Sequence, residues 1–293
     1  MGFNIDIGKL SEPATVLVQR ISDAIEGYYR PYQIKRIAEA EAEADRIRTI
    51  SQIEITEIQR RAVLRFVAEE SKKQANMESV TTKALPELED NSRPQDVEED
   101  WLVHFFDKCR LVSDDEMQQL WARVLAGEAN SPGHYSLRTI TALSTLSKDE
   151  GELFQNVCSH FWLINNAWQV LVYDHEDRVY QSRGITFPSL THLDDIGLIS
   201  YDSLAGFQLT KLPKRIPAIF CKDKLVIEFK SDENNSLDLG HVMMTRVGKE
   251  LAQLFTLGHK PEFKDYVIER WRRMGHKVLL ADGDASIATT LQS

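Results

Sequence analysis

The sequence predicts a mainly α-helical protein with a C-terminal α+β part, built as a long N-terminal helix, a compact helical module and a winged-helix-like domain. Three observations carry that prediction. Residues 32–80 contain neither glycine nor proline and are rich in Ala, Glu, Arg and Gln, which favour helix residue by residue. From Trp101 to Trp162 apolar residues recur at steps of three and four, the period of a half-buried helix. Short β-rich runs bounded by turn residues appear only beyond Ala167.

Composition bounds the function classes. The 293 residues are 42% hydrophobic and 27% charged, as in a globular chain rather than a disordered one. The net charge of −10 counts against a nucleic-acid binder, which presents a basic face. Cys109, Cys158 and Cys221 are odd in number and widely spaced, which points to a reducing compartment and to no disulfide or zinc framework. Met1–Leu10 lacks the basic and apolar regions of a signal peptide, and no apolar run reaches about 18 residues. A cytoplasmic protein without a transmembrane segment is therefore expected.

The elements follow in order. Ser11 and Pro13 mark a helix start, and Val16, Leu17, Ile21, Ala24, Ile25 and Tyr28 form its apolar stripe. A helix over residues 32–80 would be roughly 70 Å long. Along it, Ala44, Ile47, Ser51, Ile55, Ile58, Ala62 and Phe66 recur in steps averaging about 3.67, closer to an eleven-residue repeat than to a heptad. A second line, Ile50, Ile53, Glu57, Leu64 and Val67, is also partly apolar. Two stripes suit a helix contacted on two sides by copies of itself, with Ile47, Ile55, Ile58 and Phe66 as the oligomerisation residues. The alternative is a charged helix lying across its own subunit. Residues 1–84 thus form the oligomerisation region, and 85–95 a polar linker.

Residues 96–166 form the helical module. Trp101, Leu102, Phe105, Phe106 and Cys109 make one stripe. Ser113 with Glu116 reads as a capping box opening the next helix, whose buried face is Met117, Leu120, Trp121, Val124 and Leu125. A helix from Ser136 to Leu146 follows, then one capped by Ser147 and Glu150 that carries Leu153, Phe154, Val157, Cys158, Phe161 and Trp162. Residues 96–150 hold eleven acidic and five basic side chains, a surplus of six negative charges that packing does not require.

The stretch FFDKCRLVSDDEMQQLWARVLAGEANSPGHYSLRTI resembles the signature of an uncharacterised bacterial family, one of the domain-of-unknown-function groups. The acidic cap and the Leu-Trp-Ala-x-Val-Leu-Ala helix are also loosely similar to Abi-alpha-type abortive-infection proteins. The first resemblance extends to Ile21–Glu57 and implies no catalytic residues. The second implies a role in phage defence.

Residues 167–282 are expected to form the winged-helix-like domain, with a mobile tail at 283–293. Trp168–Tyr173 reads as β, Phe187–Ser200 as a helix closed by Gly197, and Ile216–Cys221 with Leu225–Lys230 as a hairpin about Lys222-Asp223. Glu262–Met274 reads as a last helix and Lys277–Leu280 as a strand. The helix, helix, Gly-Leu-Ile, hairpin order is that of winged-helix domains.

Candidate chemistry is sparse. Asp223, Glu228 and Lys230 match the two carboxylates and lysine of a restriction-like, metal-dependent nuclease, although alternating charge is also what an exposed hairpin shows. Arg270, Arg272, Arg273 and Lys277 surround Trp271 and could hold an anion or a partner, but they also sit at a helix C-terminus, where cations are favoured locally. The would-be recognition helix carries Asp194 and Asp195 and no lysine or arginine, which disfavours DNA. No histidine cluster has metal-ligand spacing and no phosphate-binding glycine loop occurs, so neither a metal nor a cofactor is expected. The expectation is a non-enzymatic oligomeric scaffold that binds itself and another protein. A nuclease and a winged-helix DNA-binding regulator are the alternatives.

Overall fold

The computed structural model describes residues 10–25, 56–255, 258 and 261–280. The expected helix from 32 to 55, the positions Ile47 and Ile55, and the tail at 283–293 lie outside the described residues. The chain divides into two compact units, Met1–Ser144 and Thr145–Ser293.

The first unit is helical: α1 (Glu12–Ala24), α2 (Glu57–Ala84), α3 (Glu99–Cys109), α4 (Asp115–Asn130) and α5 (Leu137–Thr145, whose last residue begins the second unit). Ser11 caps α1, its Oγ accepting from Ala14 N at 3.4 Å, and Leu17, Val18 and Ile21 are buried beneath it. The core lies where α3 and α4 meet. Phe105 stacks on Trp101 at 5.1 Å and meets the Trp121 ring edge-on at 5.2 Å, while Trp101 Nε1 donates to Tyr135 O. Aromatic pairs in this geometry add about 0.5–1.5 kcal/mol each beyond area burial. Gly127 is required on α4, because a Cβ there would stand 2.7 Å from the Tyr135 ring. The cap of α4 is Asp114, one residue later than the expected Ser113. Its carboxylate accepts from Met117 N at 3.0 Å, a stronger acceptor than a hydroxyl.

The second unit is α+β. It contains α6 (Lys148–Cys158), β1 (Phe161–Ile164), β2 (Ala167–Val170), α7 (Arg178–Gln181), α8 (Phe187–Asp195), β3 (Ile199–Tyr201), β4 (Phe207–Leu212), β5 (Arg215–Phe220), β6 (Asp223–Glu228), β7 (Asn235–Gly240), β8 (Val242–Met244), α9 (Arg246–Ala252), α10 (Pro261–Arg273) and β9 (Lys277–Leu280). Strands β2-β1-β5-β6-β9 form one five-stranded sheet, antiparallel throughout; β3 pairs with β8 and β4 with β7. Helix α10 covers one face of the large sheet. Trp271 meets Trp162 at 4.9 Å, and Phe263 lies 5.8 Å from Phe220.

Two parts of the predicted fold class are overturned. The winged-helix-like domain is replaced by the five-stranded sheet, because the expected hairpin forms its middle (β5–β6) and is flanked by β1 and β9 instead of projecting as a wing. The sheet was hidden because Phe161 and Trp162 continue the helical spacing of Phe154, Val157 and Cys158. The helix nevertheless stops at Cys158, and the four-residue apolar run joins the sheet, as such runs do. The continuous helix over 32–80 is likewise not found. Thr56 is extended (φ −65°, ψ 157°) and opens α2 with a capping box. Thr56 N donates to Gln59 Oε1 at 2.8 Å and Gln59 N to Thr56 Oγ1 at 3.3 Å. The predicted box at Ser147–Glu150, by contrast, is present at the start of α6.

Candidate functional site

Helix α2 has two unlike halves. Its C-terminal half is tied into the first unit: Asn76, Ser79, Val80, Thr81 and Ala84 are buried. Ser79 Oγ donates to Gln118 Oε1 at 2.7 Å, Gln118 Nε2 donates to Val112 O at 2.9 Å, and Asn76 Nδ2 donates to Arg110 O at 2.9 Å. Lys83 Nζ reaches the Asp115 carboxylate at 2.5 Å and Gln118 Oε1 at 3.0 Å. A buried Gln on α4 engaged by Asn76, Ser79 and Lys83 of α2, and by Val112 of the preceding loop, fixes the register between α2 and α4.

The N-terminal half, Glu57–Glu70, has no such anchor among the described residues. Among the described residues its ion pairs stay within the helix: Glu57 with Arg60 and Arg61, Glu69 with Arg65, and Glu70 with Lys73. Exposed pairs of this kind contribute little stability. Ile58 is 72% exposed, Leu64 61%, Phe66 63% and Val63 39%. Four large apolar side chains within nine residues of one helix, none of them buried, form a surface suited to a partner. The expected Ile58 and Phe66 belong to it, and Leu64 lies on the expected second line. Val63 falls on neither line. The stretch carries three arginines (Arg60, Arg61, Arg65) and three glutamates (Glu57, Glu69, Glu70), so it is electroneutral within a chain of net charge −10.

The predicted nuclease residues do not converge. Asp223 opens β6 and Glu228 ends it, five residues apart, which sets them on opposite faces and about 16 Å from each other. Asp223 is paired with Lys264 at 2.7 Å, on the side of α10. Glu228 is paired with Arg215 at 2.6 Å and with Lys277 at 3.7 Å on the other face. The Arg215 guanidinium holds the Glu228 carboxyl below its usual range, so it is a fixed anion rather than a proton carrier. Lys230 lies beyond the strand, against Gly275. Among the described residues, no group of three or more His, Cys, Asp or Glu side chains could hold a metal ion.

The basic cluster is likewise divided. The Arg270 guanidinium lies 4.2 Å over the Tyr173 ring and 3.5 Å from the Asp238 carboxylate, while Trp271 Nε1 donates to Tyr173 Oη at 2.9 Å. Burial pushes the Tyr173 hydroxyl far above its usual range, and it holds Tyr266 nearby at about 12, so both stay neutral. Arg270 is thus a packing residue. Arg273 pairs with Glu269, Lys277 belongs to the open face of the sheet, and Arg272 is exposed. No cysteine is activated: desolvation raises the thiols of buried Cys109 and Cys158, and that of exposed Cys221.

These features define a two-unit α+β protein in which the N-terminal half of α2 exposes four large apolar side chains and has no tertiary anchor among the described residues. The chain belongs to the family described as protein of unknown function (DUF2806), whose model matches residues 60–268. That match begins inside α2, at Arg60, and ends inside α10, so it spans both units. Comparison with curated proteins and with solved structures gives no match. No helix among the described residues is long and apolar enough to cross a membrane.

Proposed function

We propose that the protein is a non-enzymatic, self-associating interaction protein of the cytoplasm, and that the Glu57–Glu70 half of α2 is where two copies meet. The exposure of Ile58, Val63, Leu64 and Phe66 on a helix half with no tertiary anchor among the described residues carries this reading. Fully burying such a side chain contributes about 1.5–3 kcal/mol, whereas a lone helix of 14 residues is marginal in water. The electroneutral charge pattern supports it further. Antiparallel pairing about Arg65 sets Arg60 and Arg61 of one copy level with Glu70 and Glu69 of the other, with Phe66 near the two-fold axis and Leu64 on the second line, turned away from it.

The rest of the chain then receives a second protein, and the resemblance to abortive-infection proteins suggests phage defence as the setting. Sedimentation velocity of the full chain from about 1 to 100 μM tests the association, the span over which a −8 kcal/mol contact titrates. A concentration-dependent shift from one to two or more copies is expected. A single 33.5 kDa species across the range would refute it. Phage plating on bacteria expressing the protein tests the setting separately; defence should fall when Phe66 is replaced by Ala.

A further inference from the structure

The five-stranded sheet has a second face that α10 does not cover. Strand register sorts its side chains into rows; Phe161 and Val170, at one end of the face, are buried, and three rows beyond them are not. Trp168, Leu163, Ile219 and Lys224 lie side by side across β2, β1, β5 and β6; Pro217, Val226 and Leu279 form the next row across β5, β6 and β9; Arg215, Glu228 and Lys277 form the third. Where one face of an antiparallel sheet meets water, its outward positions are ordinarily polar. Here six of the ten are apolar. Trp168 is 51% exposed and Leu279 47%, and Leu163, Pro217, Ile219 and Val226 are each only half-buried.

The charges around this apolar centre are mostly positive. Lys224 stands at one end, and Arg215 and Lys277 at the other. The single carboxylate, Glu228, is already neutralised by Arg215. Three cations against one anion leave two positive charges on this face, in a chain of net charge −10. Two such faces would repel each other, which disfavours stacking of identical sheets. Nucleic acid is disfavoured because stacking platforms need several exposed aromatic rings and this face exposes one, Trp168. Aliphatic side chains framed by cations fit a protein helix with an apolar stripe between acidic flanks. Such a helix, three to four turns long, would span the sheet's roughly 19 Å width and mirror α10 on the opposite side.

We propose that this open sheet face is a docking site for an acidic amphipathic helix of a partner protein. The site is distinct from the α2 surface, so the two proposals stand or fall separately. The test is fluorescence anisotropy of the full chain with three labelled probes: an 18-residue Glu/Leu peptide of helical periodicity, its Lys/Leu counterpart and an oligo-dT of similar length. Binding of the Glu/Leu peptide is expected, weakened at least tenfold by Lys277→Glu and by Trp168→Ala, and unchanged by Phe66→Ala. Far-UV circular dichroism of each variant checks folding, and Lys224→Glu gives a second charge reversal at the other end of the face. Equal binding of both peptides, binding unchanged in the folded variants, no binding at all, or preferential binding of oligo-dT would each overturn the proposal. Loss on Phe66→Ala alone would place the peptide on α2 and overturn it as well.

Discussion

Replacing Phe66 by Ala removes a ring that is 63% exposed in the single chain. Fully burying a phenylalanine side chain contributes about 1.5–3 kcal/mol, so covering the exposed two-thirds contributes about 1–2 kcal/mol per copy. A symmetric pair loses that amount twice, about 2–4 kcal/mol, and every 1.4 kcal/mol is tenfold in affinity. The dissociation constant should therefore rise roughly 30- to 700-fold. The single chain should hardly notice, since exposed substitutions usually stay within about 0.5 kcal/mol. The assay is sedimentation velocity on wild type and variant at matched concentrations, with denaturant melts to confirm equal subunit stability. Leu111→Ala is the control: that side chain is 66% exposed in the same unit but lies away from Glu57–Glu70. An unchanged dissociation constant for Phe66→Ala, or an equal loss for Leu111→Ala, would refute the reasoning.

Three further outcomes probe the interior. Gln118→Ala strips Ser79 and Lys83 of an acceptor and Val112 O of a donor, and should cost about 1–3 kcal/mol in a urea melt; less than about 0.5 kcal/mol would show that the α2–α4 register is set by apolar packing instead. Glu128, buried on α4, accepts from Gly133 N at 2.6 Å and Tyr135 N at 2.8 Å; Glu128→Gln turns an N–H toward one of these donors and should cost about 1.5–3 kcal/mol by the same measurement. Glu150 is held below its usual range by the Ser147 backbone N–H, the Ser147 hydroxyl and His192. A depressed carboxyl stabilises the fold above its unfolded pKa, and that contribution disappears as pH falls through the folded value. The stability gap between wild type and Glu150→Gln should accordingly be full above the ordinary carboxyl range and shrink as pH falls below it. A gap that stays constant as pH falls from about 6 to about 2 would contradict the assigned cause.

Much of the first unit was legible because its signals are local. The Trp101–Cys109 and Met117–Leu125 stripes are periodic within single helices, and in the second unit the Ser147–Glu150 box needs only four residues. The same kind of signal was present at Thr56–Gln59, but it lies inside a run of strong helix formers and reads as helix interior. Strand β1 was not legible, because Phe161 and Trp162 fit a helical period as well as a strand. The pairing of β4 with β7 was missed for a related reason, since Phe207–Leu212 and Asn235–Gly240 carry weak alternation and are joined only in space. The separation of Asp223 from Glu228 could have been read directly, as an odd spacing on one strand always reverses the face. The open sheet face had a signal too. Both parities of β5, Ile216 and Ala218 as well as Pro217 and Ile219, are apolar.

The sequence by itself determined the apolar stripe of α3, that two tryptophans lie in the core of the first unit, and that the hairpin about Lys222 exists. It also carried the family membership. Tertiary structure alone decided that this hairpin is the centre of a five-stranded sheet, which half of α2 is anchored and which is exposed, and that Asp223, Glu228, Arg270 and Arg273 are bound into ion pairs and ring contacts. The physical reason is the range of the forces concerned. Periodicity and capping act within a turn or two of chain, whereas strand pairing, burial and charge pairing join residues tens of positions apart, such as Arg110 with Asn76 or Trp271 with Tyr173, whose partnership no local pattern records.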